Sequence, residues 1–221
     1  MKTHWFCTHL TRQVGDAHDR ALRYMGMVFE RADVRLVLDV GGSIGVFASA
    51  LHKRYGDRIV CITGDVITTL SKDVYYKEKA RGLVWPSLQI LAAKGMPGII
   101  IDAMSYLPFG ESTLDALHTS WVYHSGFPPR TLWEFYRVLR PGGFLIIRMQ
   151  WQTHMSYHTM RNSSQHAWGN LYKWAASMGM RKVSYVSNPG LGHGSLMILQ
   201  MPVSPEWEDY QVSAGNATGQ R

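Results

Sequence analysis

The stretch from Val34 to Leu51, VRLVLDVGGSIGVFASAL, constrains the fold more than any other part of the chain. Its first part, VRLVLDV, is mostly apolar and rich in β-branched side chains, which is typical of a strand buried on both faces of a parallel sheet. Gly41, Gly42 and Gly45 follow, and their missing Cβ atoms let the backbone turn sharply and approach a ligand closely. An apolar helical pattern comes next. The sequence therefore predicts a strand, a glycine turn and a helix whose first backbone N–H groups face a bound group.

The residue types in this turn distinguish between two kinds of cofactor site. Asp39 ends the predicted strand, and its carboxylate can accept hydrogen bonds from hydroxyl groups of a ligand. A dinucleotide site has the order G-x-G-x-x-G, whereas this chain has acid-x-G-x-S-x-G. That order resembles motif I of the class I S-adenosylmethionine (SAM) methyltransferases, acid-x-G-x-G-x-G, with Ser43 in place of the middle glycine. The resemblance implies cofactor contacts from Asp39, Gly41, Gly42, Ser43 and Gly45; a glycine turn that binds nothing is the alternative.

A second acid follows the next predicted strand, a short apolar segment at residues 59–62 within DRIVCITGD. In class I methyltransferases, as in nucleotide-binding sheets generally, an acid at the end of this strand binds the ribose hydroxyls. Asp65 is the candidate for that role. Thr63 is the alternative residue at the end of the strand.

A third acid lies in the segment GIIIDAMSYLPFGESTLDALH. The pattern predicts a buried third strand at Ile99–Ile101, a loop through LPF, and a fourth strand at Leu114–His118. The segment resembles the run D-A-x-x-L-P-F…(F/L)-D-x-(V/L)-H of the same methyltransferases. The resemblance implies that Asp102 accepts a hydrogen bond from the adenine amino group, and that Ala103 and Met104 line the adenine ring.

The residues after the fourth strand lie at the carboxyl edge of the predicted sheet, where open α/β sheets bind ligands. In the resemblance, Thr119 and Ser120 match positions beneath the methionine part of the cofactor. His124 is the first candidate for a general base, because imidazole titrates near neutral pH and can accept a proton from a hydroxyl or amine. Tyr123 is a second candidate, as a wall of the substrate pocket. Asp115, which opens the fourth strand, is expected to have a structural role.

The segment RTLWEFYRVLRPGGFLIIRM provides a third motif. Its apolar spacing predicts a helix whose stripe ends at Leu139, a turn at RPGG, and a buried fifth strand at Phe144–Ile147. This passage from helix to strand is similar to that of small-molecule methyltransferases, where the turn is structural. The three motifs thus follow one another in the same order as in that family. The G-G-S and L-P-F…L-D patterns also resemble, more weakly, those of some plant members of the family.

Substrate specificity is expected to depend on the part of the chain after Met149, where the family pattern is weaker. His154 is a third catalytic candidate, in a polar and aromatic loop that could close over an acceptor. Its i, i+4 spacing with His158 would suit a metal, but no third ligand is evident and no metal site is predicted. A last helix at His166–Met178 should precede two antiparallel strands, Lys182–Val186 and Ser195–Met201.

Length and composition limit the domain organisation. The 221 residues suffice for one α/β domain, which we expect at residues 34–201, after a helical segment at 1–33 and before a flexible tail at 202–221. No apolar run approaches the roughly 18 residues needed to span a bilayer, and no secretory signal is evident. Two cysteines that do not suggest a disulfide framework favour a reducing, cytoplasmic location.

These patterns together predict a Rossmann-like fold: a seven-stranded, mostly parallel sheet with an antiparallel last strand and helices on both faces. The resemblance implies transfer of the SAM methyl group to an O or N atom of a small-molecule acceptor, with S-adenosylhomocysteine as the product. No N-P-P-(Y/F) motif follows the fourth strand, so nucleic-acid and protein amide acceptors are disfavoured.

Two other functions stay open. Ser43 suggests a SAM-binding protein without catalysis, and the net charge of +7 suggests an RNA methyltransferase. The densest basic cluster, KDVYYKEKAR, also contains acids, which favours a solvated helix face. Monomer and homodimer are both compatible with the sequence.

Overall fold

The computed structural model describes residues 19, 21–42, 45–65, 91–103, 105–120, 128–150, 170–187 and 194–203. Within this part of the chain, seven strands form one sheet. They are Leu36–Val40 (β1), Val60–Asp65 (β2), Gly98–Ile100 (β3), Leu114–Ser120 (β4), Leu139–Gln150 (β5), Arg181–Ser187 (β6) and Gly194–Gln200 (β7).

The sheet has the order β3-β2-β1-β4-β5-β7-β6. The pairings from β3 through to β5 are parallel, whereas β7 is antiparallel to both β5 and β6. The predicted fold class is therefore confirmed, including the antiparallel last strand. β1 lies between β2 and β4, so Val40 is aligned with Gly64 on one side and with Thr119 on the other. The carboxyl ends of these three strands consequently meet at one edge of the sheet.

Helices cover the sheet on both faces because alternate residues of the buried strands point to opposite sides. The helices with defined bounds are Gly26–Phe29 (α1), Val46–Tyr55 (α2) and Pro129–Val138 (α3); residues 170–177 form a further helix (α4), and Gly56–Arg58 is a 3₁₀ turn. One core contains Val37 and Ile146 with the side chains of α1 and α2, and the other contains Leu38 and Leu145 with those of α3 and α4.

The amino-terminal segment is helical where it is described, and its apolar stripe packs into the core as expected, but not at the expected place. Residues 21–24 are helical and continue through a turn into α1. The apolar stripe of this segment predicts a core-packing helix that lies across the sheet edge or over the cofactor mouth. Instead Leu22, Met25 and Phe29 are buried against one face of the sheet, in the same core as Phe47 of α2. An apolar stripe shows that a helix face must be covered, but it does not specify which surface covers it.

The boundary between α3 and β5 differs from the prediction. Leu139 was expected on the helix, yet its φ of −79° and ψ of 132° are extended and it begins β5. The RPGG turn lies inside this strand, between the pairing of Leu114 with Leu139 and that of Ala116 with Phe144. Gly142 has a φ of +71° there. The turn therefore acts as a bulge that shifts the register, because extra residues on one strand have no partner on the other.

Several strands have bounds that differ slightly from those that the sequence predicts. β2 and β4 each run two or more residues further toward the carboxyl edge than predicted, and β3 begins and ends one residue earlier. The last helix and the antiparallel pair are confirmed over the residues described. Among the described helices, none has the length and apolarity that crossing a membrane requires. Cys61 is a buried free thiol.

Candidate cofactor site

The glycine turn leaves β1 at its carboxyl end and leads into α2. Gly41 and Gly45 have φ angles of +74° and +70°, a conformation that favours glycine. The N–H groups of Gly41 and Gly42 donate to the carbonyl oxygen of Gly64, at 2.7 and 3.3 Å, and Gly45 donates to Gly42 at 2.9 Å. The turn is thereby tied to β2, and Gly45 is the residue before the first turn of α2.

Gly42 and Gly45 also lack space for a side chain. A Cβ atom at Gly42 would lie 2.3 Å from Asp39 Oδ2 and 2.7 Å from Thr63 Cγ2. A Cβ atom at Gly45 would lie 2.3 Å from Leu91 Cδ2. The sequence suggested that the missing side chains leave room for a ligand. The structure shows that they also leave room for neighbouring side chains of the protein, which pack against the turn. Ser43 lies outside the described residues.

The carboxylate of Asp39 lies beneath the turn, with only 1% of the residue exposed. Its Oδ1 atom is 2.7 Å from Nδ1 of His118 on β4, which forms a buried hydrogen bond. Its Oδ2 atom faces Gly42, and no donor among the described residues reaches it. The sequence suggested contacts to ligand hydroxyls from this acid, whereas the structure places it inside the protein, in contact with the turn itself.

His118 is a residue whose importance the sequence analysis missed. It is fully buried, and its ring stacks on Phe47 of α2 with 3.7 Å between the ring centres. The parallel register aligns Asp39 with His118, so their side chains point to the same face of the sheet. An ionisable residue in the middle of a strand predicted to be buried was the available signal, because such groups are rarely buried without a partner.

Burial shifts the pKa values of this pair in opposite directions. It raises the pKa of Asp39 well above 3.8, because the charged carboxylate loses its hydration. Burial lowers the pKa of His118 well below 6.5, and the nearby charge of Arg148 on β5 lowers this pKa further. Burial, together with Asp39, likewise raises the pKa of the Cys61 thiol. We therefore expect a neutral imidazole at His118 under physiological conditions.

The other two predicted cofactor acids lie at the ends of neighbouring strands. Asp65 is the last residue of β2, is half-buried, and accepts a backbone hydrogen bond from Ile101 at 2.9 Å. Asp102 follows β3, is exposed, and forms an isolated antiparallel bridge with Tyr106. Ala103 beside it is buried. The structure thus brings both carboxylates to the edge of the sheet where the glycine turn lies.

The LPF loop after Asp102 is held by α3. Glu134 Oε2 accepts a hydrogen bond from the N–H of Leu107 at 3.0 Å. Arg137 donates to the carbonyl oxygens of Leu107 and Phe109, at 3.0 and 2.8 Å, and also pairs with Glu134. These contacts explain how an irregular segment next to the site keeps its backbone polar groups satisfied.

Two of the remaining candidates lie at the end of β4. Thr119 and Ser120 are buried and are aligned with Ile147 and Arg148 of β5. Within the described ranges, no three acidic, histidine or cysteine side chains are arranged to hold a metal ion. The other candidates lie outside the described residues, so their roles stay predictions: Met104, Tyr123, His124 and His154.

Comparisons with known proteins agree with this geometry. Residues 38–147 match the family described as "Methyltransferase domain". Demethylmenaquinone methyltransferase from Symbiobacterium thermophilum is 32% identical over 114 residues, a match that covers 45% of this chain and 45% of that protein. The match therefore spans less than half the length of this curated relative.

Solved structures share the fold at low sequence identity. A SAM-dependent methyltransferase from Aquifex aeolicus has a TM-score of 0.55 and 18% identity, and the alignment covers 76% of this chain and 82% of that one. Human N-acetylserotonin methyltransferase in complex with SAM has a TM-score of 0.56 and 15% identity, with coverage of 87% and 52%.

The fold and the matched region define a domain of the class I SAM-dependent methyltransferase superfamily, in which SAM is the cofactor. The chain belongs to this class through the methyltransferase domain that its residues 38–147 form. That domain extends from β1 to β5 and includes the glycine turn and the acids at the ends of β2 and β3.

Proposed function

We propose that this protein transfers the methyl group of SAM to an O or N atom of a small-molecule acceptor, with S-adenosylhomocysteine as the second product. The observation that supports this most is the convergence of the glycine turn, Asp65 and Asp102 at the carboxyl ends of β1, β2 and β3. Ligands of open α/β sheets bind at this edge. The proposal thus rests on a site formed by three neighbouring strands rather than on one motif.

The residues at this edge suit the chemistry of the cofactor. Carboxylates accept hydrogen bonds from hydroxyl and amino groups, so Asp65 would bind the ribose hydroxyls and Asp102 the adenine amino group. Gly41 and Gly45 adopt the left-handed conformation that favours glycine, and neither residue has a side chain that would project from the turn. When bound, SAM supplies an electrophilic methyl group on a sulfonium centre.

The protein's contribution would be chiefly alignment. Holding acceptor and methyl donor in line can supply a large part of the rate acceleration without a strong base. Where the acceptor must lose a proton, His124 is the proposed base, with Tyr123 and His154 as further residues around the acceptor. His118 is not a candidate base, because it is fully buried and its pKa is lowered by burial and by Arg148.

Binding and turnover test the proposal separately. Isothermal titration with SAM and with S-adenosylhomocysteine measures binding, and the Asp65→Ala variant serves as a control with a damaged site. Incubation with metabolite extract and SAM carrying a deuterated methyl group, followed by mass spectrometry, should reveal a labelled small molecule. Binding without a labelled product would favour a protein that binds SAM without catalysis. Labelled RNA, with affinity that falls steeply as salt rises, would instead favour an RNA methyltransferase.

A further inference from the structure

His118 contacts both flanks of the glycine turn. On one side its Nδ1 atom is 2.7 Å from Oδ1 of Asp39, the last residue but one of β1. On the other side its ring stacks on Phe47, the second residue of α2. One side chain on a neighbouring strand therefore joins the residues immediately before the turn to those immediately after it.

The contact with Asp39 determines where the second carboxylate oxygen lies. With Oδ1 bonded to His118, Oδ2 is directed at Gly42, in the space that a Cβ atom would occupy. A carboxylate free to rotate about its side-chain bonds could leave this position, because aspartate rotamers differ mainly by such rotations. The hydrogen bond restricts that rotation, and the stacked Phe47 ring limits movement of the imidazole.

We propose that His118 is a positioning residue for cofactor binding: it fixes Asp39 beneath Gly42 and Phe47 beyond Gly45, and so holds the turn in the conformation that binds SAM. This inference rests on the proposed function, since it names the residue that organises the same site. His118 itself touches neither acceptor nor cofactor. It acts through the two residues that it contacts, which lie on β1 and α2.

Two substitutions of similar polarity separate positioning from packing. The amide of asparagine occupies nearly the position of the histidine Nδ1 atom, whereas the amide of glutamine lies closer to that of Nε2. His118→Asn should therefore keep the contact with Asp39, and His118→Gln should lose it. His52→Gln is the matched control, because His52 is an exposed residue of α2.

The affinities for SAM and S-adenosylhomocysteine are then measured by isothermal titration. We expect His118→Gln to bind both about tenfold more weakly, as the loss of one buried hydrogen bond predicts. His118→Asn should stay within about threefold of the wild type by the same reasoning, and His52→Gln should be unchanged. A double variant, Asp39→Ala with His118→Gln, should bind no more weakly than Asp39→Ala alone, because Asp39→Ala already removes the contact that His118→Gln breaks.

Each outcome bears on the inference. Equal affinity of His118→Gln and the wild type would overturn it, and so would equal losses in the Asn and Gln variants, which would indicate packing alone. A wild-type protein that binds neither nucleoside overturns the proposed function as well, so the two failures are distinguishable. If the variants do not fold, ¹⁵N spectra of histidine-labelled wild-type protein replace them: the His118 Nδ1 resonance should show a hydrogen-bonded nitrogen both without SAM and at saturation with SAM, and loss of this hydrogen bond on saturation would refute the inference.

Discussion

The Arg140 guanidinium at the start of β5 lies 2.9 Å from the carboxylate of Asp33, just before β1. Arg140 is buried and also donates to Asp115 of β4. Asp115 in turn accepts the N–H groups of Arg35 and Leu36, at 2.8 and 2.7 Å. This group of contacts joins three strands at the end of the sheet opposite the cofactor turn. The structural role expected for Asp115 is thereby confirmed.

Removal of Arg140 should destabilise the protein strongly. Arg140→Met removes the arginine that Asp115 contacts and one of the two arginines that pair with Asp33. Breaking a buried ion pair costs about 3 kcal/mol or more in the free energy of unfolding. Arg54→Met is the matched control, since Arg54 forms an exposed pair with Glu30 and should cost less than about 1 kcal/mol. Urea unfolding followed by circular dichroism measures the loss of unfolding free energy in each variant. Equal losses in the two variants would refute the role of the Arg140 contacts.

Acid should weaken the same region. Burial alone would raise the pKa of Asp33, but hydrogen bonds from Arg31 and Arg140 outweigh it and lower this pKa from 3.8 to about 2. A lowered carboxyl pKa stabilises the fold above the unfolded value of 3.8 and loses this effect as the pH falls toward 2. The stability difference between wild type and Asp33→Asn should therefore shrink over this range. Thermal melts across pH measure this stability difference, and Asp57→Asn, at a fully exposed side chain, is the control variant. A difference between wild type and Asp33→Asn that stays constant with pH would contradict the prediction.

An added methyl group in the glycine turn should lower the free energy of unfolding. Gly42→Ala places a Cβ atom against Asp39 and Thr63, both of them buried, and such overpacking costs about 1–3 kcal/mol. Gly26→Ala is the comparison, because its nearest neighbour is the flexible end of Glu30 and alanine favours the helix. Calorimetric melts and SAM titration should show lower stability and weaker binding for the first variant only. Tolerance of Gly42→Ala in both assays would be incompatible with the described contacts.

Asp102 should matter for binding more than for folding. It is exposed, so Asp102→Ala should change the free energy of unfolding by less than about 0.5 kcal/mol. If its carboxylate binds the adenine amino group, SAM affinity should fall by about one order of magnitude, the effect of a hydrogen bond to a charged group. Glu111→Ala, another exposed acid, should leave affinity unchanged. Unchanged affinity in both variants would remove Asp102 from the site.

Much of the fold could be predicted because its signals are local. The apolar run before Gly41 predicted β1, and the stripe through Phe135 predicted α3. Gly95, with a φ of +66°, ends the helical turn before β3, and a glycine after a helix is a local signal of this kind. The RPGG bulge was harder to predict, because its position depends on which residue of β4 is aligned with Leu139.

The contact between Asp39 and His118 illustrates why part of the site could not be predicted. The two residues belong to strands that are neighbours in the sheet but distant in sequence, and their alignment depends on a parallel register that no local pattern specifies. Sequence reasoning placed Asp39 at the ligand because the motif begins with this acid, at the end of the predicted strand. It could not show that a histidine on β4 would occupy one side of its carboxylate.

The position of Asp39 Oδ2 has a consequence for how this family can diversify. Because that atom fills the space next to Gly42, the tolerance of position 42 depends on what stands at position 118. A lineage that first replaced His118 would free the carboxylate to rotate, and alanine at position 42 would then no longer meet Asp39, although it would still meet Thr63. The reverse order would pass through an unstable intermediate, so evolutionary history at these two sites should be directional.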